Sequence, residues 1–280
     1  MKKYSLLLLL SAFALGISCH MSQDRGQEKI ADVQTPIPKD PFHRLCQYWE
    51  VTDADRPSYR DLFDQQVQGV FNYPGIIFLT DSTVVENPRS AMRYGQFSYK
   101  GRVITVHYDD GTQSVYTITK EVGDSMTMER KDPDHTTILH LKGDQIFWPD
   151  SKVNPFNRSI GWWMKRPSKP EADSLLRKRL KACVRFYQYY FQGEARTVSA
   201  DADFQGLPCC FDWYQGAIIV QGPSHLDKKW IACFYSEAQA MQARQLMQDM
   251  LVSNQYNWDK TQTNWKLQIA DVLGQVYQKF

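Results

Sequence analysis

Tyr94-Gly95-Gln96-Phe97-Ser98-Tyr99-Lys100-Gly101-Arg102-Val103-Ile104-Thr105-Val106-His107-Tyr108-Asp109-Asp110-Gly111-Thr112-Gln113-Ser114-Val115-Tyr116-Thr117-Ile118 decides the fold. Apolar and polar side chains alternate with period two, and the runs break at Lys100-Gly101 and Asp109-Asp110-Gly111, where glycine and Asx residues tolerate hairpin backbones. Working outward, the same pattern predicts strands at Leu45–Thr52, Gly75–Thr80, Met92–Lys100, Arg102–Tyr108, Gln113–Lys120, Ser125–Arg130, Thr136–Lys142 and Ile160–Lys165. Gly123-Asp124 and Asp132-Pro133-Asp134 supply further turns. Eight short up-and-down strands predict an antiparallel sheet closed into a small β-barrel over residues 42–167, because closure removes exposed edges. Strict alternation puts Ile104, Val106, Tyr108, Tyr116, Ile118, Met126, Met128, Leu139 and Leu141 on the inner face, with Trp49 plugging one end and His107 and His140 outside.

This segment resembles the lipocalin-like domain of bacterial lipoproteins. The resemblance rests on Leu45-Cys46-Gln47-Tyr48-Trp49, with Gln47 where that family carries glycine. It also rests on Tyr94-Gly95-Gln96-Phe97, Val103–Tyr108, Asp110-Gly111, Tyr116-Thr117-Ile118 and an aromatic closing segment, Gly161–Arg166. It implies a small hydrophobic ligand held inside the barrel by Trp49, Tyr108, Tyr116, Met126 and Met128. A barrel of this size is equally able to fill itself with side chains, so a solid core stands beside the ligand cavity as an expectation.

The N-terminus points the same way. Lys2-Lys3, an apolar run from Leu6 to Ile17 too short to span a bilayer, and Ser18 before Cys19 read as an export signal over residues 1–18. The segment resembles a lipobox, which implies that Cys19 is lipidated and that the protein is held in the envelope of a Gram-negative bacterium. Ordinary cleavage near Ser18 is the competing expectation. Residues 19–41 are polar and end in Thr35-Pro36-Ile37-Pro38, a tether with a coil-like reach of roughly 25 Å. Removing residues 1–18 takes away Lys2 and Lys3 and no acid, leaving 31 basic and 31 acidic side chains. That balance gives no footprint for nucleic acid. Arg177-Lys178-Arg179 with Lys181 reads as the solvated face of a helix.

Beyond Pro167 the apolar period changes to 3.6, and residues 168–280 read as a helix-rich α-β-β-α-α domain. Ser168-Lys169-Pro170-Glu171 opens the first helix, Ser236-Glu237-Ala238-Gln239 the second, through Leu251, and Asp259-Lys260-Thr261-Gln262 the third. Between them Phe211–Val220 and Lys229–Tyr235 read as strands. Aromatics run nearly around the first helix. Either both of its faces are packed, or Phe186, Tyr189 and Tyr190 form a surface for a partner such as an envelope protein.

Setting Cys19 aside, Cys46, Cys183, Cys209, Cys210 and Cys233 leave an odd number, with a bridge expected from Cys209 or Cys210 to Cys233 or Cys183. Their spacing does not make a zinc site. No nucleophile elbow, metalloprotease helix or phosphate-binding glycine loop is present, so no catalytic residue, metal or cofactor is expected. A thiol hydrolase using Cys209 or Cys210 is the enzymatic alternative. The expectation is a non-enzymatic, membrane-anchored protein that binds a small hydrophobic molecule or serves as a scaffold.

Overall fold

Alternation builds the barrel, and hairpins of two or four residues connect its middle strands. The computed structural model describes residues 40–55, 75–88, 92–131, 136–144, 151–195, 207–214, 217–252, 261 and 263–280. The signal, Cys19, the tether and the Asp132-Pro133-Asp134 turn lie outside them. A short helix α1 (Pro41–Leu45) leads into β1 (Tyr48–Ala54), β2 (Gly75–Phe78), β3 (Thr83–Glu86), β4 (Arg93–Lys100), β5 (Val103–Tyr108), β6 (Gln113–Val122), β7 (Ser125–Lys131) and β8 (Thr136–Asp144). Each strand pairs antiparallel with the next, and β8 returns to β1 with Tyr48 opposite Asp144, so the barrel is closed. Gly101 and Gly123 turn the β4–β5 and β6–β7 hairpins with φ of 64° and 60°, a region that glycine enters without strain.

The inner face is as the alternation predicts. Trp49, Ile104, Val106, Tyr108, Tyr116, Ile118, Met126, Met128, Leu139 and Leu141 form one buried cluster with Phe78, Val84 and Phe97. His107 and His140 are exposed outside. Helix α1, capped by Asp40, covers one end: Leu45 enters the cluster, Phe42 stacks on Phe97 at 6.0 Å, and Trp49 Nε1 donates to the Leu45 carbonyl at 2.9 Å. Gln47 lies over Gly143 of β8. A Cβ at Gly143 would stand 2.6 Å from Gln47 Oε1, so the close approach is kept with the glycine on the facing strand.

Two expectations about the barrel are corrected. Its eighth strand is β3, whose four residues are all buried, so no alternation betrays it. Ile160–Lys165 is not a strand. It is α2 (Arg158–Gly161), capped by Asn157, followed by a 3-10 turn Trp162–Met164 that drives Trp163 into the second core.

The second half contains α3 (Asp173–Glu194), a hairpin of β9 (Phe211–Tyr214) and β10 (Ala217–Val220), then α4 (Lys228–Ala232), α5 (Glu237–Val252) and α6 (Trp265–Lys279). Helix α3 starts later than the Ser168 box predicts because Glu171 is taken by Arg179 instead of capping. Phe211–Val220 is two paired strands. Lys229–Tyr235 is not a strand: Asp227 caps helix α4, and Trp230 and Phe234, four residues apart, meet at 4.8 Å. Helix α6 is capped by Asn264, five residues past Asp259.

The described residues belong to one compact unit, Thr35–Phe280. Tyr48, Ile77, Leu79 and Val85, on the outside of β1–β3, join the helical core of Trp163, Phe186, Tyr187, Phe191 and Trp230. The strands β2 and β3 are thus buried on both faces.

Candidate functional site

The five inner residues expected to hold a ligand do converge, and they occupy the space themselves. Trp49, Tyr116 and Met128 are buried to 1 % exposure or less, and Tyr108 and Met126 to 5 % or less, in contact with the rest of the inner cluster. The polar atoms are paired within the wall. The Tyr108 and Tyr116 hydroxyls share a hydrogen bond of 3.0 Å, and Tyr116 donates to Glu86 Oε1 at 3.4 Å. Burial pushes both phenols up, Tyr108 to about 12, so both stay protonated donors at neutral pH.

That tyrosine pair belongs to an ion cluster at the end of the barrel opposite α1, which sequence reasoning missed. Glu86 accepts from Arg93 Nη1 at 2.8 Å and lies 3.4 Å from Arg130 Nη1, while the Arg93 guanidinium stacks 3.8 Å above the Tyr108 ring and reaches Asp110 at 3.1 Å. Only the register assembles it: Glu86 is paired with Arg93, and Arg130 continues the inward series Met126, Met128.

The aromatic helix is mostly core. Phe186 and Tyr190 are at most 2 % exposed, so the expectation that they form a partner surface is overturned. They pack with Trp163 and Tyr187 in the core that α3 shares with the C-terminal helices and with the outer residues Tyr48, Ile77, Leu79 and Val85. Tyr189 alone of the three is half-exposed. Arg179 likewise leaves the expected solvated face. It is buried, bonds Glu171 through Nε at 2.8 Å, and donates to the carbonyls of Trp163 and Lys165.

Cys183, Cys209, Cys210 and Cys233 are buried free thiols, and Cys46 is a half-buried one. The expected bridges from Cys209 or Cys210 are absent here. Cys209 Sγ is engaged with Phe211, donating to its carbonyl at 3.1 Å, and Cys233 Sγ donates to the Lys229 carbonyl at 3.3 Å inside the α4 turn. Burial pushes the Cys209 and Cys210 thiols far up, the reverse of an activated thiolate, so the geometry gives no support to a nucleophile there. Among the described residues no group of three or more His, Cys, Asp or Glu is placed to hold a metal ion, and no helix is long and apolar enough to cross a membrane.

The outer side of α3 carries an open cleft of about 390 Å³ against α2, the 3-10 turn and the end of α6. Lys152, Lys178, Lys181 and Arg185 line it, with no carboxylate among the described lining residues. Trp162, Tyr189 and Tyr277 supply its aromatic surface. Arg185 is held there with its guanidinium 3.5 Å above Tyr277 and Nη1 donating to Gln188 at 2.9 Å, and Lys181 Nζ lies 4.7 Å from the same ring. The hydrogen bond to Arg185 pulls the Tyr277 hydroxyl below the ordinary phenol range. The signal for this site is the spacing of Lys178, Lys181 and Arg185 at i, i+3 and i+7, one stripe of a helix. No protein-family model, no curated protein and no solved structure matches the chain.

Proposed function

We propose that this is an exported lipoprotein, anchored through Cys19 in the cell envelope, that acts as a non-catalytic binding protein. Its barrel is a solid platform, and the ligand meets the outer side of α3 instead of the interior. The observation that carries this reading is the inner cluster: Trp49, Tyr116 and Met128 already occupy the volume that a hydrophobic ligand would need, and α1 covers one end. The resemblance to lipocalin-like domains supports the export and anchoring parts and leaves the contents of the barrel to its side chains.

The test is fractionation with native mass spectrometry. The natural chain is expected with membranes and the Cys19→Ser chain in the soluble fraction, and the latter, purified from its own envelope, should carry no apolar cargo. A small molecule that leaves only on denaturation would restore the carrier reading, and a natural chain found soluble would remove the anchor.

A further inference from the structure

The strand register gathers one set of loop tips at the end of the barrel where the tether enters. Helix α1, capped by Asp40, lies at that end, where Arg44 meets Glu121 at 3.3 Å and Phe42 stands 6.5 Å from Tyr99. The β4–β5 turn at Gly101 and the β6–β7 turn at Gly123 close the same end. Ser151 is held there too, accepting from Thr80 Oγ1 at 3.0 Å.

Apolar exposure follows that end. Among the described residues up to Arg166, the large hydrophobic side chains left exposed are Val103, Val122 and Val153, at 40, 63 and 40 %. Val103 opens β5 next to the Gly101 turn, Val122 ends β6 next to Gly123, and Val153 follows Ser151. At the other end the β5–β6 turn, Asp109-Asp110-Gly111-Thr112, is exposed and carries no apolar side chain. Exposed valines scattered singly are ordinary, but three on one rim give the barrel an apolar end.

The length of chain before α1, and where it ends, indicate what this rim faces. Residues 19–39 join the Cys19 anchor to α1, a sequence whose coil-like reach is roughly 25 Å. Strand β6 has ten residues, which at the usual strand tilt of about 40° sets a barrel height of roughly 25 Å. The α1 rim therefore touches the bilayer with the tether slack, whereas the far end touches it only when the tether is drawn along the whole barrel. Confinement within that distance raises the local concentration of lipid at the rim, so a weak apolar contact is enough to be populated.

We propose that the α1 rim is a membrane-docking face, on which Val103, Val122 and Val153 rest in the interfacial layer of the bilayer that holds the Cys19 anchor. The proposal rests on the anchoring reading of the preceding section and adds an orientation to it, with the Glu86 end pointing away from the lipid.

Hydrogen exchange is followed by mass spectrometry on the natural chain, purified from its own membranes and reconstituted in phosphatidylcholine vesicles, and on the Cys19→Ser chain in solution. Amides of the Gly101 and Gly123 turns should exchange at least about threefold more slowly in the vesicle-bound chain, and those of residues 109–112 at the same rate in both. The Val122→Asp/Val153→Asp variant, changed at exposed side chains, should stay with the vesicles through Cys19 and lose the slowing at Gly123. Val122→Trp should strengthen it, because tryptophan favours the membrane interface.

The docking face is overturned if the vesicle-bound chain exchanges at the rates of the soluble one, if the 109–112 turn slows equally, or if the aspartate variant keeps the slowing. Slowing that appears in the Cys19→Ser chain as its concentration rises, without vesicles, would overturn it in favour of a second copy of this chain on the rim. A natural chain that does not associate with vesicles would overturn the anchoring reading and the docking with it. A vesicle-bound chain with fast-exchanging turns overturns the docking alone, so the two failures are told apart.

Discussion

Arg179 and Glu171 form an ion pair with both side chains at most 5 % exposed, the guanidinium Nε lying 2.8 and 3.1 Å from the two carboxylate oxygens. The same guanidinium holds the carbonyls of Trp163 and Lys165, so one side chain of α3 fixes the linker that leaves the barrel. Breaking such a pair strands a buried charge, which costs about 3–5 kcal/mol. Glu171→Gln should lose stability of that order in urea unfolding. Arg179→Met should lose more, because the carbonyls also lose their donor. A change under about 0.5 kcal/mol in both would show the pair to be incidental.

Met128 has no exposure and sits among the inner residues of β5, β6 and β8. Met128→Ala should cost about 2–5 kcal/mol. If the interior is solid, the new void should also create an apolar site where none existed, seen as a hydrophobic dye binding the variant and not the natural chain. Dye binding to both would show a cavity already present.

Gly95 of β4 faces Tyr108 across the β4–β5 pair, and a Cβ there would stand 2.7 Å from the His107 carbonyl oxygen. Backbone cannot step aside as a side-chain tip can. Gly95→Ala should therefore destabilise by about 1–3 kcal/mol, whereas the same change at a surface position would be near neutral. Thermal unfolding reads the difference directly.

Burial pushes the thiols of Cys46 and Cys233 up to about 12, from an ordinary value of 9.0. Between those values the unfolded chain has lost thiol protons that the folded chain keeps, so the unfolded state binds fewer protons and stability falls as pH rises from about 9 to 12. It is fully present below pH 9. Alkylation at pH 8 should be slow for the folded chain and fast in denaturant. Rapid labelling of Cys233 in the folded state would show that α4 opens readily.

The inner face of the barrel was legible because one-sided burial writes itself as alternation: every second residue from Ile104 to Leu141 had a face to choose. Thr83–Glu86 had none to choose, since both sides of that strand are covered, and so it left no pattern. Gly161-Trp162-Trp163 misled for a related reason. Aromatic residues announce burial but not backbone conformation, and the Asn157 cap upstream was the better guide. The cleft was partly legible, in the helical spacing of three basic residues. Its other walls come from Lys152, Trp162 and Tyr277, whose proximity only the folded chain creates. The Glu86 cluster stayed hidden with the strand that carries it.

The strands with two covered faces also bear on how this chain can be taken apart. A barrel cut from residues 42–167 would leave Tyr48, Ile77, Leu79 and Val85 bare to water, an apolar strip along neighbouring strands. Such a fragment would self-associate, and so would a graft of this barrel onto an unrelated partner. The barrel is therefore not interchangeable cargo between proteins: whatever lineage moves it must move the aromatic hub of α3 with it.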